Sequence, residues 1–352
     1  MMTITVKDVA RKANVATSTV SRVINDHPSI SQATKKKVQK VMDELGYVPN
    51  ISARNLGKRT TSAVGIILPP LNSKERLANP FFLEIIEAIN GEARTHNLTT
   101  ALAIAKDIDT LFENVKAMHT EKQVGGFIIT YSVIDDPIID YLRQQNIPFV
   151  LIGQPYDALS NTVYVDNDNQ LLGQEATDYL IKNGHQNILF ITNTTTENIF
   201  YERYFGYQKA MMLAQLNAHQ SLTLNVPDDY VKLEEKIQSA QATAIIALDD
   251  IFALRIIQLV ELYGYKVPDD ISVISFNNSI FSTLTHPYLT TLDIETENLG
   301  QKAMHKLAGL IKGDNTDGTR FVIPHKLIER ETVIAKRGWD KRVLPQAKTE
   351  QN

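Results

Sequence analysis

Between Thr5 and Leu45 the apolar residues fall where only short helices can use them. Val6, Val9 and Ala10 recur at helical spacing, Ala13-Asn14-Val15 interrupts the period, and Val20, Val23 and Ile24 resume it on one face of a second segment. Opposite those residues stand Ser18, Ser21, Arg22 and Asn25. A longer segment, Ser31 to Leu45, stops at Gly46 with Pro49 beyond it. Two short helices joined by a tight turn and completed by a third make a helix-turn-helix. The second helix of that arrangement is the element that enters a DNA major groove.

Thr5 with Asp8 three residues on reads as a capping box and fixes the start of the first helix. The second helix should begin near Thr17, whose hydroxyl can accept from an orphan N–H. Thr17, Ser18, Ser21 and Arg22 lead it, all short or forked hydrogen-bonders. Arg22 can engage guanine O6 and N7 together, the other readings being a phosphate contact or a surface ion pair. Lys35, Lys36 and Lys37 suit a phosphate track or a solvated face. Residues 1–60 hold eleven Lys and Arg against four Asp and Glu, so +7 sits at this end of a chain whose total is −4, leaving −11 for the remainder. A basic head on an acidic body concentrates phosphate attraction at one end. Asn50 to Gly57 spans barely two turns, and so short a helix is marginal alone in water. It is expected to become helical on DNA, with Leu56 beside Ala53 as a minor-groove wedge; the plainer alternative is an ordinary linker leucine.

From Thr61 onward short apolar runs alternate with helical stretches. Residues 62–69, 99–105, 124–130 and 149–153 read as one set of strands; 162–167, 187–193, 244–248 and 272–277 read as a second. Asn79-Pro80 looks like an N-cap with proline at the first helical position. Such alternation implies parallel sheets with helices on both faces, and two doubly wound halves leave a cleft outside the carboxyl ends of their strands. Residues 290–294 and a helix from Leu299 to Ile311 follow the second set, and 320–330 alternates like an edge or closing strand. The fold class is therefore α/β: an all-α helix-turn-helix head with a hinge helix, then two doubly wound parallel-sheet subdomains. The tail beyond Arg337 is polar, without period, and expected to be disordered.

Several classes of protein are disfavoured by the same residues. The chain has no cysteine, so disulfides and thiolate chemistry are impossible. It has no run of ~18 apolar residues, and charged residues rather than an apolar run follow its N-terminus, so a cytoplasmic protein with no membrane partner is expected. A nucleotide-binding enzyme such as a dehydrogenase would need GxGxxG or GxxxxGK[ST], and neither is present. His96, His119 and His219 show no metal spacing, so neither a metal nor a cofactor is expected, and His185, in a turn before a strand, reads as structural. A sugar-binding transport protein would need an export signal and would leave the basic head unexplained.

DVARKANV, TVSRVIN, ELGYVPN and ARNL follow one another over almost sixty residues, and this head resembles that of the LacI/GalR family of bacterial repressors. Asn79-Pro80-Phe81-Phe82, VDNDN, GHQNILFIT, ERYFGYQKA, VPDDISVISFNN and LTTLDIETENLGQKA extend the resemblance to the family's periplasmic-binding-protein-like effector domain, so it covers about residues 4–335. It implies a DNA-binding domain at 1–49, a hinge at 50–60, an effector-binding and dimerisation domain at 61–337, and a tail at 338–352. The effector domain would cross between halves near Ser160, Tyr288 and Thr319. Its first subdomain would take about 61–160 and 289–319, its second about 161–288 and 320–337. Thr17, Ser18, Ser21, Arg22 and Asn25 would be the major-groove set and Asn50, Ala53 and Leu56 the hinge contacts, with Val6, Lys7 and Tyr47 also on DNA. This chain departs from the family in having Ala16 for a usual Ser, Asn277-Asn278 for a usual Asp-Asp, and Ser275 for the preceding Gly.

The same resemblance brings Phe81 and Phe82 toward an effector, where aromatic faces suit the C–H face of a pyranose; Phe82 equally fits the apolar helix face. Arg203, three residues before Gly206, stands where the family grips its effector, and its planar fork can chelate vicinal hydroxyls; the alternative is a surface ion pair. Asp249 and Asp250 could in isolation serve acid–base chemistry or a metal. As the end of a strand they read better as acceptors for sugar hydroxyls, with Asp250 able to cap its own helix. Asn277 keeps an acceptor and adds donors where a carboxylate is usual. Asp166 would organise the cleft without touching the ligand. SFNN, NPFF and VDNDN are most like maltose-operon repressors of Gram-positive bacteria. The expectation is a non-enzymatic homodimeric repressor of a carbohydrate-utilisation operon, its partners double-stranded operator DNA and a sugar. The alternative is a global regulator of the same family answering to a phosphoprotein or non-sugar corepressor.

Overall fold

Three short helices, α1 (Val6–Ala13), α2 (Thr17–Ile24) and α3 (Gln32–Leu45), bury one valine each completely: Val9, Val20 and Val38. Ala10, Ala13, Val23, Val41 and Met42 fill in around them. The helix starts follow local chemistry. Asp8 accepts from both the backbone N–H (3.0 Å) and the hydroxyl (2.7 Å) of Thr5. Ser31 accepts from the Thr34 N–H at 3.3 Å and caps α3, which ends at Gly46 with φ 62°. α2 begins at Thr17 as expected, but Thr17 is therefore the first helical residue and not the cap; Ala16, which has no side-chain acceptor, holds the cap position. Only the Ala16 carbonyl acts there, accepting from Thr19 (2.9 Å) and Val20 (3.2 Å).

The structure, a computed structural model, describes residues 4–24, 27–47, 63–71, 79–121, 124–156, 161–195, 197–224, 230–314 and 318–336. The chain divides into two compact units, Met1–Thr61 and Ser62–Asn352. The expected hinge at 50–60, the tail at 338–352, and the sites Asn25, Asn50, Ala53 and Leu56 lie outside the described residues.

The second unit is built on two six-stranded sheets. The first uses β1 (Ala63–Ile67), β2 (Thr99–Ala103), β3 (Phe127–Ile129), β4 (Phe149–Ile152), β5 (Tyr164–Asn167) and β11 (Arg320–Ile323), all parallel, in the order β11-β5-β4-β3-β1-β2. The second uses β6 (Ile188–Thr192), β7 (Leu222–Thr223), β8 (Ala244–Ala247), β9 (Ser272–Phe276), β10 (Thr290–Asp293) and β12 (Lys326–Ile328), in the order β12-β10-β9-β8-β6-β7, with only β12 antiparallel. β3, β6, β8 and β9 are buried at every position, the near-continuous apolar runs that a sheet covered on both faces demands. The first lobe carries α4 (Phe81–Thr95), α5 (Ile108–Thr120), α6 (Pro137–Gln144) and α11 (Thr296–Lys312). The second carries α7 (Asn169–Lys182), α8 (Asn198–Leu213), α9 (Tyr230–Ala240) and α10 (Asp250–Leu262). α4 starts at Phe81, one residue later than the sequence suggests, so Pro80 holds the cap position and Asn79, one residue before it, accepts from the Phe81 N–H at 3.1 Å.

The three crossings differ from expectation in one consistent way. β5 pairs with β4 and β11, so the chain leaves the first lobe after Asn167, not near Ser160. β10 pairs with β9, so the return comes after Asp293, not near Tyr288. β11 lies in the first sheet and β12 in the second, so residues 320–330 are two edge strands and the last crossing is at Pro324-His325, not near Thr319. In every case the strand before the crossing belongs to the lobe being left. Apolar alternation identifies a strand but not its sheet, which only the pairing decides.

Candidate functional site

On α2 the buried and exposed faces separate cleanly. Val20 and Val23 face the head core, while Thr17, Ser18, Ser21 and Arg22 are exposed. Arg11 pairs with Asp8 at 3.3 Å and Lys12 with Glu44 at 3.0 Å, whereas Arg22 has no carboxylate partner among the described residues. A forked cation held on a rigid two-turn helix, flanked by hydroxyls, can read base edges and phosphates together. Lys7 is exposed beside this face in sequence, but Val6 and Tyr47 are half-buried against the head core, so packing as well as any contact fixes them.

In the second unit the predicted residues gather at the carboxyl ends of strands. α7 and α8 approach closely because each has a glycine at the contact: a Cβ on Gly173 would overlap the Arg203 carbonyl, and one on Gly206 the Gln170 carbonyl. That approach seats Arg203, which is 1% exposed and therefore no surface ion pair. Its Nε donates to Asn169 Oδ1 at 3.0 Å, its Nη1 to the Leu248 carbonyl at 2.8 Å, and its guanidinium lies 4.2 Å from the Phe276 ring centre. Asn169 in turn donates to both carboxylate oxygens of Asp166 at 3.1 and 3.0 Å. Asp166 also accepts from the Gln154 N–H at 3.0 Å, so this carboxylate near the end of β5 ties the segment just after β4 to the first turn of α7. Asn198 Nδ2, at the start of α8, donates to the Gln154 carbonyl at 3.2 Å and bridges the two lobes at the same point.

Burial dominates the electrostatics. It pulls Arg203 down to about 10 despite Asp166, Asp249, Asp250 and Glu197, all of which favour its charge. It pushes Asp166 up to about 6 against the hydrogen bonds from Asn167, Asn169 and Gln154. Asp249 and Glu197 are raised too, chiefly by burial, with Arg203 opposing. One guanidinium thus faces several carboxylates in a low-dielectric pocket between strand ends.

The two adjacent aspartates divide their roles in the opposite sense to that expected. Asp249, not Asp250, caps α10, accepting from the Phe252 N–H at 2.7 Å. Asp250 is 1% exposed, and both its oxygens are occupied: Oδ1 accepts from the Ser275 hydroxyl (2.5 Å) and the Thr291 hydroxyl (2.8 Å), Oδ2 from the Ser279 N–H (2.6 Å). Asp250 is therefore an internal brace and not a ligand acceptor, and the unusual Ser275 is one of its donors. Asn278 is also committed, donating to Asp293 at 2.8 Å and accepting from Arg330 at 2.6 Å. An aspartate there would face the Asp293 carboxylate; the amide offers a donor to one side and an acceptor to the other. Asn277, half-buried at φ 107°, has no side-chain partner among the described residues. Phe82 is 8% exposed within the main core, so it packs and does not line the cleft, while half-buried Phe81 meets it edge-on at 5.7 Å.

Asp249, Phe81 and Asn277 are half-buried, whereas Arg203, Phe82 and Asp250 are buried; of the Arg203 fork, Nε and Nη1 are bonded and Nη2 makes no hydrogen bond among the described residues. Sequence reasoning missed Asn169, Phe276, Glu197, Gln154 and Asn198. The VDNDN segment carries Asn169, but nothing local tells that it aims at Arg203. His185 is buried and bonded at both ring nitrogens, to the Thr243 hydroxyl and the Ile334 carbonyl, each at 3.0 Å. Two surface recesses, one along Arg143, Phe149 and Leu310 and one along His185, Tyr265 and Asp270, bring together none of the cleft residues.

Comparison with known proteins bears on both units. Residues 5–50 match the family described as bacterial regulatory proteins, lacI family, and residues 177–333 match the periplasmic binding protein-like domain. The HTH-type transcriptional regulator MalR of Staphylococcus xylosus is 32% identical over 334 residues, 94% of this chain and 98% of that one. The structure of a transcriptional regulator CelR–cellobiose complex is 27% identical with a TM-score of 0.72, covering 94% of this chain and all of that one. A lac repressor dimer bound to operator and the anti-inducer ONPF, 23% identical with a TM-score of 0.80 over 95% of this chain and all of that one, shares the fold. Among the described residues no helix is long and apolar enough to cross a membrane.

Proposed function

The chain belongs to the lacI family of bacterial regulatory proteins, and on that premise we propose that it is a homodimeric repressor of a carbohydrate-utilisation operon whose grip on its operator is set by a sugar, of the maltose or α-glucoside class. The observation that carries the sugar reading is the Arg203 cluster. A buried planar cation stacked on Phe276 and several carboxylates gather at the strand ends, and Phe81 offers a half-buried aromatic ring at the start of α4. A neutral polyol satisfies such a site well, because its hydroxyls donate to Asp249 and accept from guanidinium, while its C–H face covers an aromatic ring. An anionic metabolite would have to be matched against carboxylates already in excess. The cellobiose bound by the CelR relative supports a disaccharide as the ligand size. The α-glucoside class rests on NPFF, VDNDN and SFNN and on the MalR relative.

Control requires that the sugar bind one of two lobe arrangements more tightly, since a ligand indifferent to both shifts nothing. Two-fold pairing of heads would match a near-palindromic operator, one half-site per α2. The deciding experiment measures affinity for a selected operator with and without maltose, other α-glucosides and cellobiose. A change of at least about fivefold, the small end of typical couplings, with an α-glucoside supports the reading. Operator affinity that ignores every sugar while remaining sequence-specific overturns the sugar control and leaves the DNA-binding assignment standing.

A further inference from the structure

Glu92, in the last turn of α4, His96, immediately after that helix, and His305, on α11, converge at a point on the first lobe away from the cleft residues. Glu92 Oε1 lies 3.1 Å from His96 Nε2 and 3.6 Å from His305 Nδ1. The two imidazole centres are 5.6 Å apart, and one ligand atom from each of the three residues falls within 4.8 Å of the others. His96 and Glu92 are largely covered, with side-chain exposures of 16% and 22%, whereas His305 is 61% exposed. The scaffold beneath is rigid. Gly300 on α11 sits against Ala88 and Ile85 on α4, so the two helices touch backbone-close, and the His96 N–H is fixed to the Ala93 carbonyl at 3.1 Å.

We propose that Glu92, His96 and His305 form a divalent transition-metal site of the zinc class, with water at the remaining position. Tetrahedral zinc with bonds of about 2.0–2.1 Å places its ligand atoms roughly 3.3–3.4 Å from one another. The two measured edges from Glu92 straddle that value, and rotation of the exposed His305 ring closes the third. Two imidazole nitrogens directed at a single carboxylate oxygen are an arrangement a cation satisfies better than protons: it replaces one N–H···O bond and one 3.6 Å approach by three coordinate bonds. Neutral imidazole with carboxylate is a donor set suited to zinc and poorly suited to calcium or magnesium, which take oxygen ligands. The ion would bolt the helix following β1 to the helix lying between the second and third crossings, stiffening the first lobe.

The test uses the full chain, free of any polyhistidine tag, stripped with a chelator and titrated with Zn²⁺ against a chromophoric competitor. Thermal unfolding with and without the ion gives the second readout. The expected result is one Zn²⁺ per chain, bound at least roughly tenfold more weakly by His305→Ala and by His96→Ala, and a Zn²⁺-dependent rise in Tm that His305→Ala abolishes. Because His305 is exposed, that variant folds whether or not His96→Ala does, and it decides alone. Equal Zn²⁺ binding by the parent chain and His305→Ala, or none by either, overturns the site.

Discussion

The side-chain amide of Asn167 lies 3.0 Å from the carbonyl oxygen of Ile294, and its second N–H reaches the Ile323 carbonyl at the same distance. Asn167 ends β5, Ile294 follows β10 and Ile323 ends β11, so one buried amide joins all three places where the chain passes between lobes. Asn167→Ala strands both carbonyls and should cost about 1–3 kcal/mol for each. Asn167→Asp should be worse, since an acceptor would then face two acceptors. Urea unfolding of the two variants checks the order; a cost below about 1 kcal/mol for both would show that water replaces the amide without loss.

Arg203 is the buried cation that favours the charge of both Asp166 and Asp249 in the cleft, with Arg255 acting on Asp249 as well. Arg203→Met removes it while keeping much of the volume, strands Asn169 Oδ1 and the Leu248 carbonyl, and should destabilise the second unit by about 1–3 kcal/mol for each lost hydrogen bond. Arg203→Lys keeps the charge but offers no fork to span Asn169 and the Leu248 carbonyl. It should fold, with sugar affinity reduced far more than thermal stability. Calorimetric titration beside a melting curve separates the two; parallel losses in both would make Arg203 a structural residue only.

What could be read from the chain beforehand divides along the range of the interactions involved. The head was legible because its cues are local: Val9, Val20 and Val23 lie at helical spacing, and Asp8 and Ser31 cap within three residues. The strands were legible for the same reason, as uninterrupted apolar runs. Sheet membership was not, because Tyr164–Asn167 alternates identically whichever sheet receives it. The roles of Asp249 and Asp250 hung on a one-residue phase of the helix start, which propensity does not resolve. The His96 and His305 rings meet only through the packing of α4 on α11, so no spacing rule could pair them. Two-residue β7 and helix α9 carry too little period to register.

The acid titration of the second unit has a predictable sign. Asp166 is pushed up to about 6, above its ordinary 3.8, so the folded chain holds a proton that the unfolded chain has released. Its stabilising contribution is complete below about pH 4 and is lost as pH rises through about 6, on the order of 2–3 kcal/mol. Asp166→Asn removes this titration. The unfolding free energy of the parent chain minus that of the variant should therefore fall between about pH 4 and 7, as measured by urea titration at several pH values. A difference that is constant, or that grows with pH, would place the Asp166 carboxyl in the ordinary range.

Arg22 is exposed on α2, has no carboxylate partner among the described residues, and stands over a helix held by the fully buried Val20. Arg22→Ala should therefore leave the melting temperature within error while costing about 1–3 kcal/mol in affinity for a selected operator and relaxing preference at one base position. Lys7→Ala, a change to an exposed point charge, should weaken all duplexes alike and lower the salt slope by about one. Fluorescence anisotropy on matched and single-substituted operators at two salt concentrations distinguishes them. If Arg22→Ala weakens every duplex equally and lowers the salt slope, Arg22 holds a phosphate, and base recognition falls to Thr17, Ser18 and Ser21.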